Sequence, residues 1–194
     1  MTIIWIVLGV IVVIVLWVVM AFNGFVSLRT RTQEAWADIE VQLKRRYDLI
    51  PNLVNTVKGY ANFEKSTLDA VIQARAKATS VNIDPSKMDP SMIQKMSSSE
   101  GELSGALGRL LVAVEAYPDL KANQSFLSLQ GELSDTENKI QAARRFYNGN
   151  ARDLNIKVES FPSNVIAGMF KFTKMEFFDL PDNDVAQNPV EVKF

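Results

Sequence analysis

The sequence predicts an all-α protein, with one N-terminal transmembrane helix followed by a water-soluble bundle of long helices. Three observations carry this reading. Ile3 to Phe22 is an apolar run without a charged residue. Beyond it, apolar residues return at alternating steps of three and four, the period of a helix that buries one stripe. No stretch is strand-rich enough to build a sheet. The expected division is an anchor over 1–24, a helical domain over 25–180 and an extended tail over 181–194.

The apolar run has the roughly 20 residues needed to cross a hydrocarbon core of ~30 Å. A helix is the single-segment solution there, because lipid offers backbone N–H and C=O groups no partners. Ile3, Trp5, Leu16, Trp17 and Phe22 mark the span, with the two tryptophans toward its interfaces and Trp17 somewhat deep. A cleaved signal peptide fits poorly, since only Met1 and Thr2 precede the run and no basic region leads into it. Arg29 and Arg31 follow the run, and its N-terminal side has no Lys or Arg. The positive-inside rule therefore leans the domain toward the cytoplasm.

From Phe25 to about Ser80 the stripe runs through Trp36, Ile39, Leu43, Tyr47, Ile50, Val54, Val57, Ala61, Leu68 and Val71. That spacing predicts one long helix with a kink or brief break near Pro51, which lacks a backbone donor. Val81 to Gly101 reads as the main interruption, with Asp84-Pro85, Asp89-Pro90 and Ser97-Ser98-Ser99. Its Met88, Met92, Ile93 and Met96 stripe reads as adaptable core. A second helix starts at Pro90 or Glu100 and runs to Ala116. Gly101, Ser104, Gly105 and Gly108 give it a small-residue face that another helix can approach closely.

Pro118 suits a first helical turn. The third long helix carries Phe126, Leu129, Leu133, Glu137, Ile140, Arg144, Tyr147, Ala151, Leu154, Val158 and Phe161. Their spacing averages 3.5 residues, as in a coiled coil. Phe161-Pro162 stops it, and Ser163-Asn164 open a short amphipathic helix through Val165, Met169, Phe170 and Phe172. The segment beyond, with Phe177-Phe178, reads as extended.

Composition removes several kinds of chemistry. The chain has no cysteine and no histidine, so thiolate metal sites, disulfides, Cys nucleophiles and the commonest general base are absent. A formal net charge of −1 gives no case for nucleic acid, which needs clustered basic charge. No phosphate loop, dinucleotide fingerprint, calcium loop or nucleophile elbow is present. No cofactor or metal is expected.

Two stretches carry a family resemblance. One is Ala35-Trp36 with Gln42-Leu43-Lys44-Arg45-Arg46-Tyr47-Asp48-Leu49-Ile50-Pro51-Asn52-Leu53-Val54, Lys58-Gly59-Tyr60-Ala61 and Ala74-Arg75. The other is Leu133, Glu137-Asn138-Lys139-Ile140, Ala143-Arg144, Tyr147-Asn148 and Phe161-Pro162. With Phe177-Phe178 and Val192-Lys193-Phe194 at the end, the chain resembles the LemA family of bacterial membrane proteins. The resemblance implies a transmembrane helix leading into an antiparallel helical bundle, in the bacterial cytoplasmic membrane. It implies no reaction. Its possible partners are a membrane metalloprotease or another envelope protein.

Glu137 and Arg144 fall in the seam of the third helix, and Glu64 and Arg75 lie on or beside that of the first. With Tyr147 they form an expected structural polar network, since a charge in such a seam is costly unless paired. A carboxylate acid–base pair is the catalytic alternative, thinly supported without His or a nucleophile. The Lys44-Arg45-Arg46 run reads as a solvated face or an inter-subunit salt bridge rather than a lipid contact. Phe25, Leu28, Trp36, Ile39 and Leu43 form an apolar stripe that the shorter second helix does not reach. The expected occupant is a second copy, making a homo-oligomer, and the competing cover is the tail through Phe170, Phe172, Phe177 and Phe178. The function expected is a non-catalytic membrane-anchored scaffold, with a regulator or subunit of a membrane protease system as the alternative.

Overall fold

A computed structural model describes residues 1–59, 64–83 and 89–179, so the expected tail over 181–194 and Ala61, Asp84-Pro85 and Met88 lie outside the described residues. The described chain is six helices, with no strand among the described residues. The first, α1 (Thr2–Lys58), is a single helix of 57 residues that carries the membrane anchor into the domain without a linker. Residues 1–16 are exposed along its N-terminal part, which is long and apolar enough to cross a membrane.

The long helix expected through Ser80 is corrected: α1 ends at Lys58, and α2 (Lys65–Thr79) is separate. Leu68 and Val71 of α2 join the same core as Val54 and Val57 of α1. The apolar period is the same on both sides of the break, so periodicity carries straight across it.

The helix α3 (Pro90–Val114) begins where Asp89 caps it, accepting a hydrogen bond from the Ser91 amide at 2.8 Å. Of the two expected starts the structure takes Pro90, so the interruption expected through Gly101 ends at Asp89 and Ser97-Ser98-Ser99 are helical. The single turn α4 (Pro118–Lys121) leads to α5 (Gln124–Glu159), capped by Asn123 through the Phe126 amide at 3.1 Å.

Helix α5 runs antiparallel along α1. Its Phe126 and Leu133 pack with Ile50 to Val57, its Tyr147 and Ala151 with Ala35 and Trp36, and its Leu154 with Phe25. Helices α2 and α3 form a second antiparallel pair laid on the distal half of the first. After Ser160-Phe161-Pro162 comes α6 (Ser163–Phe170), which docks on α1 at the membrane end. Lys171 closes α6 in the left-handed region at φ 58°, and residues 172–179 then run extended along α5.

This arrangement overturns the predicted oligomer surface. Phe25, Trp36, Ile39 and Leu43 are buried within the single chain, and Leu28 is partly covered. The ring of Phe172 stacks on Phe25 at 4.8 Å, and Trp36 meets Tyr147 at 5.3 Å and Phe178 at 5.4 Å edge to face. The reason is length. Helix α5 is roughly 54 Å long and the stretch from Phe25 to Lys58 roughly 51 Å at 1.5 Å per residue. The third helix therefore runs the length of the first outside the membrane. The extended segment completes the cover together with Ile93 and Met96 at the start of α3, which was expected not to reach the stripe.

Candidate functional site

The principal polar site lies where α1, α3 and α5 meet. Arg46 is 1% exposed. One of its terminal nitrogens donates to Glu137 Oε2 at 2.7 Å and to Ser104 Oγ at 3.2 Å, and the other donates to Glu100. Tyr47 donates its hydroxyl to the second oxygen of Glu100. Burial raises the Tyr47 hydroxyl pKa, against the pull of the adjacent Arg46 charge. Three helices are thus tied through one guanidinium, whose planar fork suits two carboxylates at once.

A second feature adjoins it. Pro51 has no N–H, so the carbonyl of Tyr47, one turn earlier, loses its helical partner. Arg75 of α2 takes that place, donating Nε to the Tyr47 carbonyl at 2.8 Å. The proline therefore leaves α1 unbroken and supplies the acceptor that fastens α2 to it.

Further along α5, side chains hold the extended segment by its backbone. Asn155 accepts from the Met175 amide and donates to the Met175 carbonyl, each at 2.8 Å. Asn148 does the same with Phe178, at 2.9 and 3.3 Å. Each side-chain amide acts as a neighbouring strand's peptide would, exchanging both bonds with one residue. The spacing fits: seven residues of helix rise roughly 10.5 Å, and three residues of extended chain span roughly 10 Å. Tyr147 donates to the Glu176 carbonyl at 2.7 Å, and Arg144 to that of Phe178 at 3.3 Å with its guanidinium over the Phe178 ring. Burial pushes the Tyr147 hydroxyl pKa upward and lowers that of Arg144, the latter opposed by the Asp179 and Glu137 carboxylates.

The predicted network is thus divided. Glu137 joins Arg46, Arg75 serves the proline carbonyl, and Arg144 and Tyr147 hold the extended segment. Glu64 belongs to none of these; it is exposed and accepts from Ser66 and Thr67 at the start of α2. The expectation of a solvated or inter-subunit basic run fails for Arg46, because its partners lie within the chain. Lys44 and Arg45 are exposed, and Arg45 lies 3.7 Å from Asp135. Arg46, Tyr47 and Glu100 were missed as network members. Arg46 follows Leu43 by three residues and precedes Ile50 by four, the spacing that places it on the buried stripe.

Outside the network, a groove of about 1180 Å³ opens between the α2–α3 pair and α5. Ser104 and Glu137 lie in its lining with Lys77, Glu102, Arg109, Arg144, Arg145 and Asp179, so it is polar and carries both signs of charge. Gly105 also lines it. A Cβ added there would meet nothing nearer than Arg109 Nη1 at 3.9 Å, and one at Gly108 would meet nothing within 4 Å. Glycine in a helix interior costs about 0.5–1 kcal/mol relative to alanine, and the chain's own packing does not require it at either position. Among the described residues, no group of three or more Asp and Glu side chains is placed to hold a metal ion.

Comparison with known proteins agrees with this architecture. Residues 35–194 match the LemA family. Protein LemA of Metamycoplasma hominis is 30% identical over 145 residues, covering 75% of this chain and 63% of that protein. Magnetosome protein MamQ 2 of Paramagnetospirillum magneticum is 26% identical over 176 residues, covering 82% of this chain and 65% of the relative. Magnetosome protein MamQ of Magnetospirillum gryphiswaldense is 24% identical over 180 residues with the same coverages. The chain therefore spans just under two thirds of the length of these relatives. It is a membrane-anchored helical protein of bacterial type, and it belongs to the LemA family.

Proposed function

We propose that this protein is a non-catalytic, membrane-anchored scaffold that receives a helix of another envelope protein in the groove between α2–α3 and α5. The observation that carries this is the groove's glycine wall. Gly105 lines a groove of about 1180 Å³, and the nearest side-chain atom of its own chain, the tip of the flexible Arg109, stands 3.9 Å from where a Cβ would be. Close approach of a foreign backbone gives that glycine a purpose. The charges on the rim, Arg109 and Arg145 against Glu102, favour a partner with interspersed acidic and basic residues.

The membrane-proximal stripe has cover from its own chain, which leaves the groove and the lipid-facing anchor as the surfaces for self-assembly. The domain faces the cytoplasm by the Arg29 and Arg31 rule. A membrane metalloprotease is one partner of the right location, and regulation of it is the form such binding would take. A cysteine at the exposed position Ser98 tests orientation: it should resist an impermeant thiol reagent in spheroplasts and react after lysis.

Site-specific photocrosslinking in native membranes, read by mass spectrometry, tests the groove. A photoreactive residue at Gly105 should give defined adducts, and one at the exposed Val41 of α1 should not. Gly105→Leu should abolish adducts formed from a probe at Arg145 while leaving thermal stability within about 1 kcal/mol of wild type. Adducts of equal yield at Val41 and Gly105, or none at Gly105, would reject the groove as the docking face.

A further inference from the structure

The membrane end of the domain carries apolar surface that its own fold leaves open. Phe161, Val165 and Met169 are 83%, 55% and 67% exposed. No residue from Ser160 to Phe170 is charged; Lys157, Lys171 and Lys174 flank that stretch with Glu159, which pairs with Lys174 at 2.7 Å. In water such a face is a liability.

Its position supplies the reason. The opposite side of α6 is buried: Ile166 and Ala167 pack with Phe25, against Trp17, Val18 and Ala21 of α1. The Phe170 ring meets Phe22 edge to face at 4.8 Å. Trp17 and Val18 belong to the apolar run that crosses the bilayer, and Phe22 ends that run. Trp17 therefore lies roughly 7.5 Å inside the hydrocarbon boundary at 1.5 Å per residue. An in-plane interfacial helix buries its apolar face about 5–10 Å into the boundary between headgroups and acyl chains.

We propose that α6 and the Ser160–Pro162 turn form a second membrane contact, an interfacial element seated in the leaflet beside the anchor, with Phe161, Val165 and Met169 in lipid. A helix bound on one flank to Trp17 and Val18 must present its other flank to whatever surrounds the anchor at that depth, and that is lipid. Lys157 and Lys171 suit the headgroup layer, as does the Lys174–Glu159 pair. The Lys157 ammonium stands 5.0 Å from the Phe25 ring centroid beside Gly24, where α1 has no side chain to obstruct it. Two attachments fix the domain's tilt against the membrane, where a lone helix would leave it free to swing. This deepens the scaffold reading without depending on what occupies the groove.

The absence of cysteine makes single labels clean. Full-length Val165→Cys and Met169→Cys, each carrying an environment-sensitive nitrobenzoxadiazole dye, are placed in phosphatidylcholine–phosphatidylglycerol vesicles. Leu127→Cys, at the far end of the bundle, is the aqueous control. Both α6 labels should emit to the blue of the control. Nitroxide lipids labelled near the headgroup should quench them more strongly than those labelled at the chain end, and aqueous iodide should have little effect. Emission and iodide quenching equal to the Leu127 control would place α6 in water and overturn the proposal. A blue shift without nitroxide quenching, growing with protein density, would assign the face to a second copy and overturn it equally.

Discussion

Helix α5 makes two kinds of attachment, and the contrast explains how the domain is built. Its distal half meets α1 and α3 through a buried guanidinium and two carboxylates. Its membrane-proximal half holds the extended segment chiefly with neutral amides and aromatic rings, joined by the half-buried Arg144 at the Phe178 carbonyl. Buried charges are strongly destabilising when one partner is lost, because the remaining charge has no water to return to. Neutral amides lose less. The charged half therefore fixes the register of three helices, and the neutral half secures a segment that seals the apolar stripe of α1. The two jobs match the two chemistries.

The largest expected effect comes from breaking the charged half. Arg46→Met leaves Glu100 buried without its countercharge and should cost about 3–5 kcal/mol in chemical denaturation of the solubilised protein. In the neutral half, Asn148→Ala removes both bonds to Phe178 and should cost about 1–3 kcal/mol. A loss at Asn148 as large as that at Arg46 would erase the distinction between the halves. The smallest effect is at Arg75, which is half-buried beside solvent. Arg75→Ala should cost about 1 kcal/mol by freeing the Tyr47 carbonyl. Adding Pro51→Ala should recover much of that, since the restored amide would satisfy the same carbonyl. Absence of recovery would separate Arg75 from the proline.

The anchor, the helical class and the core positions of α5, apart from the exposed Phe161 beyond its end, are legible in the sequence because each is a local pattern with a fixed period. The break after Lys58 is not, since Leu68 and Val71 continue the same period after the chain has turned. Arg46 was hidden by its neighbours: in the run Lys44-Arg45-Arg46 two residues are exposed and one is buried, and composition treats all three alike. Glu100 sits in a serine-rich stretch that fits loop or helix, since the pattern suits a start at Pro90 or at Glu100. The length of α3 is a poor guide to the cover over Phe25 to Leu43, because α5 is the helix that matches it and Phe172 and Phe178 close it. The amide clamp depends on Asn148 and Asn155 meeting Phe178 and Met175, residues twenty to thirty apart in sequence. No local pattern reports such a pairing.

That the chain covers its own membrane-proximal stripe is the claim on which the rest turns, and amide hydrogen exchange of the full-length protein in lipid nanodiscs tests it most directly. The Met175 and Phe178 amides donate to Asn155 and Asn148 at 2.8 and 2.9 Å. They should exchange orders of magnitude more slowly than free-chain amides. Asn148→Ala should release Phe178 while Tyr47 and the rest of distal α1 stay protected. Exchange at both amides as fast as in an unfolded peptide would mean that the segment does not seal the stripe. Protection that disappears only on dilution would mean that a second copy supplies the cover.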